Sequence, residues 1–253
     1  MEPSLQSSNT SSLPLESKVI LVTGAGSGIG KAVALGLAKK GATVVLLGKT
    51  LEKLNAVYDE IETAGYPQAA IAPLDLEKAT EPEYLHFADV IYQEFGRLDG
   101  LIHNAAWLGE LAPMELQGIE NWNKVLQINL TSNFLLTKAL MPALKNAPKA
   151  SIVFTSSGVG RKGKAYWGPY AVSKFAIEGL MQTLADELET NTKIRVNSLN
   201  PGATLTKMRR TAFPGEKPET LPTPEQLVPA YIYLMSEQSQ GVHGQALNAR
   251  DLI

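Results

Sequence analysis

Lys18-Val-Ile-Leu-Val-Thr-Gly-Ala-Gly-Ser-Gly-Ile-Gly-Lys-Ala-Val-Ala-Leu35 joins an apolar run to a helical pattern through four alternate glycines. A run apolar at nearly every position suits a strand covered on both faces, and such strands belong to parallel sheets packed between helical layers. The rest of the chain repeats the unit. Apolar or β-branched runs at 18–23, 43–48, 69–74, 98–104, 151–156 and 194–200, with a last one near Ala246, predict seven strands. Between them, 29–40, 51–64, 84–95, 122–144 and 170–189 carry apolar residues at helical spacing. The expected architecture is α/β, a doubly wound parallel sheet (Rossmann fold), in a single domain over 18–253.

Composition narrows the partners. The net charge of −2 offers no general attraction to nucleic acid or to an anionic membrane. There is no cysteine, so disulfides, thiolate nucleophiles and Cys-ligated zinc are excluded, and His86, His103 and His243 are too scattered to suggest a metal site. Residues 1–17 are rich in Ser, Asn, Gln and Pro without a basic start or an apolar stretch, and are read as a disordered leader rather than a secretion signal. No run approaches the ~18 apolar residues of a membrane span. The expected location is cytoplasmic. The one long irregular stretch, 202–222, is dense in Pro, Gly, Thr and charge, and suits a mobile loop over a site.

The glycines lie where a strand meets a helix N-terminus, whose free N–H groups and dipole favour a phosphate. Gly24, Gly28 and Gly30 would permit a sharp turn, close approach of the backbone to a pyrophosphate and tight helix-on-strand packing. Their spacing is Gly-x-x-x-Gly-x-Gly rather than the general Gly-x-Gly-x-x-Gly. The general fingerprint also expects an acid about twenty residues on, to hold ribose hydroxyls. Here Gly48-Lys49 follows the second strand. An acid would repel a 2′-phosphate, whereas Lys49 offers a charge-assisted contact, so NADP(H) is preferred and NAD(H) possible. The alternative is that Lys49 is an ordinary solvated lysine. Ser27, in the turn, supplies no base.

Tyr170 and Lys174 stand at i and i+4, on one side of a helix. Ser157 ends a predicted strand thirteen residues earlier, where a parallel sheet presents its ligands. Lys174 as a cation would favour the phenolate of Tyr170 and hold ribose hydroxyls, while Ser157 would donate to a substrate oxygen as charge builds there.

With these residues in order, the chain resembles the compact, single-domain branch of the short-chain dehydrogenase/reductases, from about Lys18 onward. Thr23-Gly-x-x-x-Gly-Ile29-Gly30, with Ser27 inside it, is similar to that family's cofactor turn. Asp75 with Leu76 resembles its adenine contact, and Asn104-Ala105 its strand-four motif. The resemblance implies that Asn129 holds a water relaying protons to the lysine, completing a tetrad with Ser157, Tyr170 and Lys174. It further implies that Tyr170 and Lys174 also touch the cofactor, and that Pro201-Gly202 and Thr206 hold the nicotinamide amide. Ser157-Gly-Val-Gly-Arg161 resembles bacterial members of unassigned substrate.

The departures concern the edges of the pattern. His103-Asn104-Ala105-Ala106 has a methyl where the family has a final glycine, and His103 itself is read as a packed strand residue. Asn248-Ala-Arg-Asp-Leu-Ile253 replaces the usual Asp-Gly-Gly near the C-terminus. That leaves a tetramer open and makes a homodimer, through the Trp122 and Tyr170 helices, the expected assembly. Trp107, Leu108, Arg161, Tyr166, Trp167, Met208, Arg209 and Arg210 are candidates for the substrate pocket; the arginines either meet an anionic group or are solvated.

The expected activity is hydride transfer between NADP(H) and a small carbonyl or alcohol, with Tyr170 as proton donor or acceptor. Alternatives within the tetrad chemistry are a 3-oxoacyl thioester reductase and a hydroxysteroid-type dehydrogenase using NAD(H). A different class is a non-catalytic NADP(H)-binding sensor, for which an intact proton relay has no use.

Overall fold

The structure, a computed structural model, describes residues 13–253. Seven strands form one sheet in the order β3-β2-β1-β4-β5-β6-β7: β1 Val19–Thr23, β2 Thr43–Gly48, β3 Ala70–Pro73, β4 Gly100–His103, β5 Ser151–Thr155, β6 Arg195–Asn200 and β7 Ala246–Asn248. Every pairing is parallel. All seven strands expected from the apolar runs are present, with ends trimmed by one or two residues.

Side chains alternate across the sheet, and both faces are buried. Val19 and Leu21 of β1 join the core under α3 (Glu81–Phe95), α5 (Ser132–Asn146) and α6 (Gly168–Glu189). Ile20 and Val22 join the core under α1 (Gly28–Lys39), α2 (Leu51–Thr63) and α8 (Val228–Met235). This is why the strand reads as a continuous apolar run. The chain order reverses between β1 and β4, and the crevice at their C-terminal ends is where an open parallel sheet takes its ligand.

Of the leader expected over 1–17, residues 1–12 lie outside the described residues. Its last five form a tight turn in which Leu15 is fully buried, and Leu15 N donates to Lys40 O at 3.0 Å, closing the far end of α1.

Two expectations are corrected. The helix read as continuous over 122–144 is α4 (Ile119–Leu126), one π-helical turn (Gln127–Thr131) and α5. The shift in register frees carbonyls, and side chains take them up: Ser132 Oγ donates to Ile128 O at 2.7 Å and Asn133 Nδ2 to Asn129 O at 2.9 Å. The stretch read as irregular, 202–222, contains α7 (Lys207–Ala212), started by Thr206, whose hydroxyl accepts from Arg209 N at 3.1 Å. No described helix is long and apolar enough to cross a membrane.

Candidate active site

The four alternate glycines turn the chain from β1 into α1 over the central crevice. Gly24 and Gly28 take positive φ of 68° and 55°, which side chains rarely adopt. Gly30 is fixed by contact: a Cβ there would stand 2.3 Å from Gly24 O and 2.6 Å from Asn104 Nδ2. Thr23 does not line the cavity as expected of a cofactor contact. It is fully buried, its hydroxyl accepts from Asn104 N and Ala105 N at 2.9 Å each, and its carbonyl accepts from Asn104 Nδ2. It therefore pins the β4 end to the glycine turn.

A cavity of about 470 Å³ runs from this turn to the substrate segment. Its wall includes Gly24, Ser27, Gly28, Ile29, Lys49, Asp75, Leu76, Asn104, Ala105, Ser157, Tyr170, Lys174, Pro201, Gly202 and Thr206. The residues singled out in the sequence thus converge, while Thr23, Gly30 and Asn129 stand just behind the wall. Lys49 Nζ is 4.0 Å from a Glu77 carboxylate oxygen and its side chain is 57% exposed. Glu77 is held more closely by Lys124, at 2.9 Å, so Lys49 is only loosely engaged. Lys53, one turn further along α2, lines the same end and was not singled out from sequence; its i+4 spacing from Lys49 was the available signal. The glycine cradle, with Lys49 just after β2 and Lys53 on α2, fits a dinucleotide carrying an extra phosphate.

At the other end, the π turn aims Asn129 inward. Its Oδ1 accepts from Trp107 N at 2.7 Å, and its Nδ2 donates to Trp107 O and to Ser173 Oγ, each at 3.0 Å. Ser173 in turn donates to the carbonyl of Tyr170 at 2.7 Å. Asn129 thus braces both the loop after β4 and the first turns of α6.

Ser157 follows β5 and accepts from Val159 N at 3.4 Å, opening a short 3-10 turn. That turn rests directly on α6: a Cβ on Gly160 would lie 2.8 Å from Lys174 O. Burial pushes the Tyr170 phenol up to about 12, with the Ser157 hydroxyl pulling the other way. Burial also pushes the Lys174 ammonium down to about 8, against the pull of the Glu178 carboxylate. Lys174 Nζ donates to Thr155 O at 2.7 Å and lies 5.7 Å from the Tyr170 ring centre. Burial of both groups thus sets the direction in which each moves. Withdrawal from water disfavours the phenolate, so Tyr170 keeps its proton at neutral pH.

Glu178, one turn beyond Lys174, is a buried acid beside the site that sequence reasoning missed. It is buried, accepts from the Ser156 and Ser198 hydroxyls at 2.5 Å each, and pairs with Arg161 Nε at 3.3 Å. Arg161 also donates to Asn248 Oδ1 and Leu247 O at 2.8 Å. It therefore leaves the pocket and ties the C-terminal strand to α6. Of the other pocket candidates, Trp107, Leu108, Trp167, Met208 and Arg209 line the cavity; Tyr166 and Arg210 do not. His103 packs as expected, stacked on Phe154 at 4.7 Å with Nε2 2.8 Å from Thr137 Oγ, and burial pushes its imidazole down to about 3.

The family profile described as short chain dehydrogenase matches residues 18–217. The uncharacterized oxidoreductase YciK of Escherichia coli K12 is 46% identical over 238 residues, covering 93% of each chain. A solved short chain dehydrogenase from Pseudomonas syringae is 54% identical with a TM-score of 0.92, covering 94% of this chain and 96% of its own. One from Shigella flexneri, solved in complex with NADP, is 45% identical with a TM-score of 0.92, covering 94% of this chain and 99% of its own.

Proposed function

The chain belongs to the short-chain dehydrogenase family, and from that premise we propose that it is an NADP(H)-dependent carbonyl reductase, reversible as an alcohol dehydrogenase. The observation that carries this reading is the convergence of Ser157, Tyr170 and Lys174 on the cavity whose far end is the glycine turn. NADPH, when bound, supplies the hydride for the carbonyl carbon. The Ser157 hydroxyl donates to the carbonyl oxygen and keeps its developing charge in place. Tyr170 Oη, a phenol held at about 12, gives its proton to that oxygen. Lys174, anchored on Thr155 O, sets a positive charge beside the phenolate that remains. Asn129, through Ser173, holds the Tyr170 turn of α6 in register. The remaining cofactor contacts in this reading are Thr23 through its staple, Ser27 to Gly30 at the pyrophosphate, Asp75 and Leu76 at the adenine, Asn104 and Ala105 behind it, and Pro201, Gly202 and Thr206 at the nicotinamide.

Preference for NADP(H) is supported by Lys49 after β2, by Lys53 on α2 and by the NADP-bound relative. One charge-assisted contact is worth roughly 1.5–3 kcal/mol, so fluorescence titration is expected to give NADPH tighter than NADH by at least ~tenfold. Lys49→Glu is expected to remove that margin. Equal affinities in the unaltered protein would withdraw the 2′-phosphate reading and leave the fold untouched.

The assembly is read as a homodimer. Phe134 on α5, in the stretch read from sequence as one helix with Trp122, and Val172 and Phe175 on α6, the Tyr170 helix, are left exposed, and exposed bulky apolar groups favour association. Mass photometry is expected to find particles of twice the 27.3 kDa chain; monomer alone at micromolar concentration would dismiss the dimer.

A further inference from the structure

Beside Tyr170 the cavity wall is made by Leu108, Trp167, Met208 and Ala212, which pack with Tyr170 in one apolar cluster. Cations on the wall, among the described residues, are Lys49, Lys53, Lys174, Lys207 and Arg209. The first two belong to the β2 end. Lys207 opens α7 next to Thr206, whose methyl lies 3.6 Å from where a Cβ on Gly28 would stand. Lys174 is buried against Thr155 O. Lys164, off the wall, stands over the Trp167 and Phe213 rings at 5.7 and 4.7 Å. Arg209, next to Met208 of the apolar cluster, is the wall cation engaged twice. Its Nε and Nη2 donate to the two carboxylate oxygens of Glu216 at 2.6 and 2.7 Å, and its guanidinium lies 3.8 Å over the Phe213 ring. Phe213 in turn leans on Trp167 and Trp167 stands edge-on to Tyr170, each pair 5.7 Å apart between ring centres.

Resting on the carbonyl-reductase reading, we infer that the substrate is an uncharged carbonyl compound with a flat apolar body that lies against Trp167, and that Glu216 excludes carboxylated analogues by occupying Arg209. A bidentate arginine–carboxylate pair is among the stronger side-chain contacts. A carboxylate placed beside Arg209 has to break that pair, or stay unpaired among Leu108, Met208 and Ala212, and both are costly. A neutral ring meets neither obstacle and gains an aromatic face.

The test is steady-state NADPH oxidation with benzaldehyde and 4-carboxybenzaldehyde, a pair differing by one carboxylate. The unaltered enzyme is expected to favour benzaldehyde in kcat/KM by at least ~tenfold. Glu216→Gln, which frees Arg209, is expected to raise kcat/KM for the carboxylated aldehyde severalfold and to leave benzaldehyde within about twofold, because neutral substrate never contacts that pair. Trp167→Ala is expected to raise KM for benzaldehyde with a smaller change in kcat. Preference of the unaltered enzyme for the carboxylated aldehyde overturns the assignment, as does a Glu216→Gln variant that loses both activities equally or a Trp167→Ala variant with unchanged KM. Those results leave the reductase reading intact. Turnover of neither aldehyde with NADPH bound removes that reading, and the substrate class with it.

Discussion

Tyr170→Phe is expected to lower kcat for carbonyl reduction by about 10²–10⁴ while NADPH affinity stays within about twofold. The substitution removes one hydroxyl and keeps the ring that packs with Leu108 and Val125. What is lost is the proton at Oη, and water is a poor substitute because Tyr170 is only 7% exposed. The direction of its titration makes this loss large. Burial holds the phenol up at about 12, so at neutral pH the variant lacks a proton donor that the unaltered protein carries. Steady-state rates by NADPH absorbance, with a fluorescence titration beside them, separate chemistry from binding. Reduction at the unaltered rate would end the role given to Tyr170.

Gly30→Ala should abolish tight NADPH binding and weaken the fold, because the added methyl meets backbone rather than a side chain that can swing away. Its Cβ would lie 2.3 Å from Gly24 O and 2.8 Å from Gly24 C. Relief requires α1 to move off β1 or the glycine turn to open, and either displaces Asn104 as well. Overpacking in a close-packed core typically costs ~1–3 kcal/mol, more where backbone resists. For a chain of this size ~3 kcal/mol corresponds to a fall in Tm of roughly 6–12 °C. Gly36→Ala makes an instructive contrast, since its equally short contact is to a Val228 methyl. A Gly30→Ala protein that melts and binds NADPH like the original would refute the steric account.

The sheet was legible because burial on both faces writes itself into composition: Val19 to Val22 are apolar at every position, whichever core each one faces. The π turn was not, because one extra residue does not disturb the apolar spacing on either side of it. Its only trace is polar, the Asn129, Ser132 and Asn133 cluster that satisfies the displaced carbonyls. α3 begins at Glu81 rather than at Tyr84, and here the signal was present in Thr80 and Glu83, which form a reciprocal cap. α8 was passed over because it is short and carries Pro229 in its first turn, a position where proline starts helices as well as ending them. In the site, spacing gave adjacency: Ser157, Tyr170 and Lys174 do line one cavity. It could not give water content, so the direction in which burial moves Tyr170 and Lys174 was invisible. Nor could it pair Arg209 with Glu216, or Arg161 with Glu178, since neither solvation nor loop path is encoded in a motif.

The Thr23 staple also sets a timetable for the nascent chain. Its hydroxyl accepts from two amides 81 and 82 residues downstream, and β1 has β4 as its neighbour rather than β3. At ribosomal speeds of ~5–20 residues per second, the glycine turn waits ~4–16 s for the segment that holds it in shape. Until then β1 keeps one edge unpaired, in a topology dominated by distant contacts that fold slowly. The dinucleotide cradle is therefore completed across the sheet rather than within its own strand–turn–helix unit, and ligand can reward folding only after the middle of the chain has arrived.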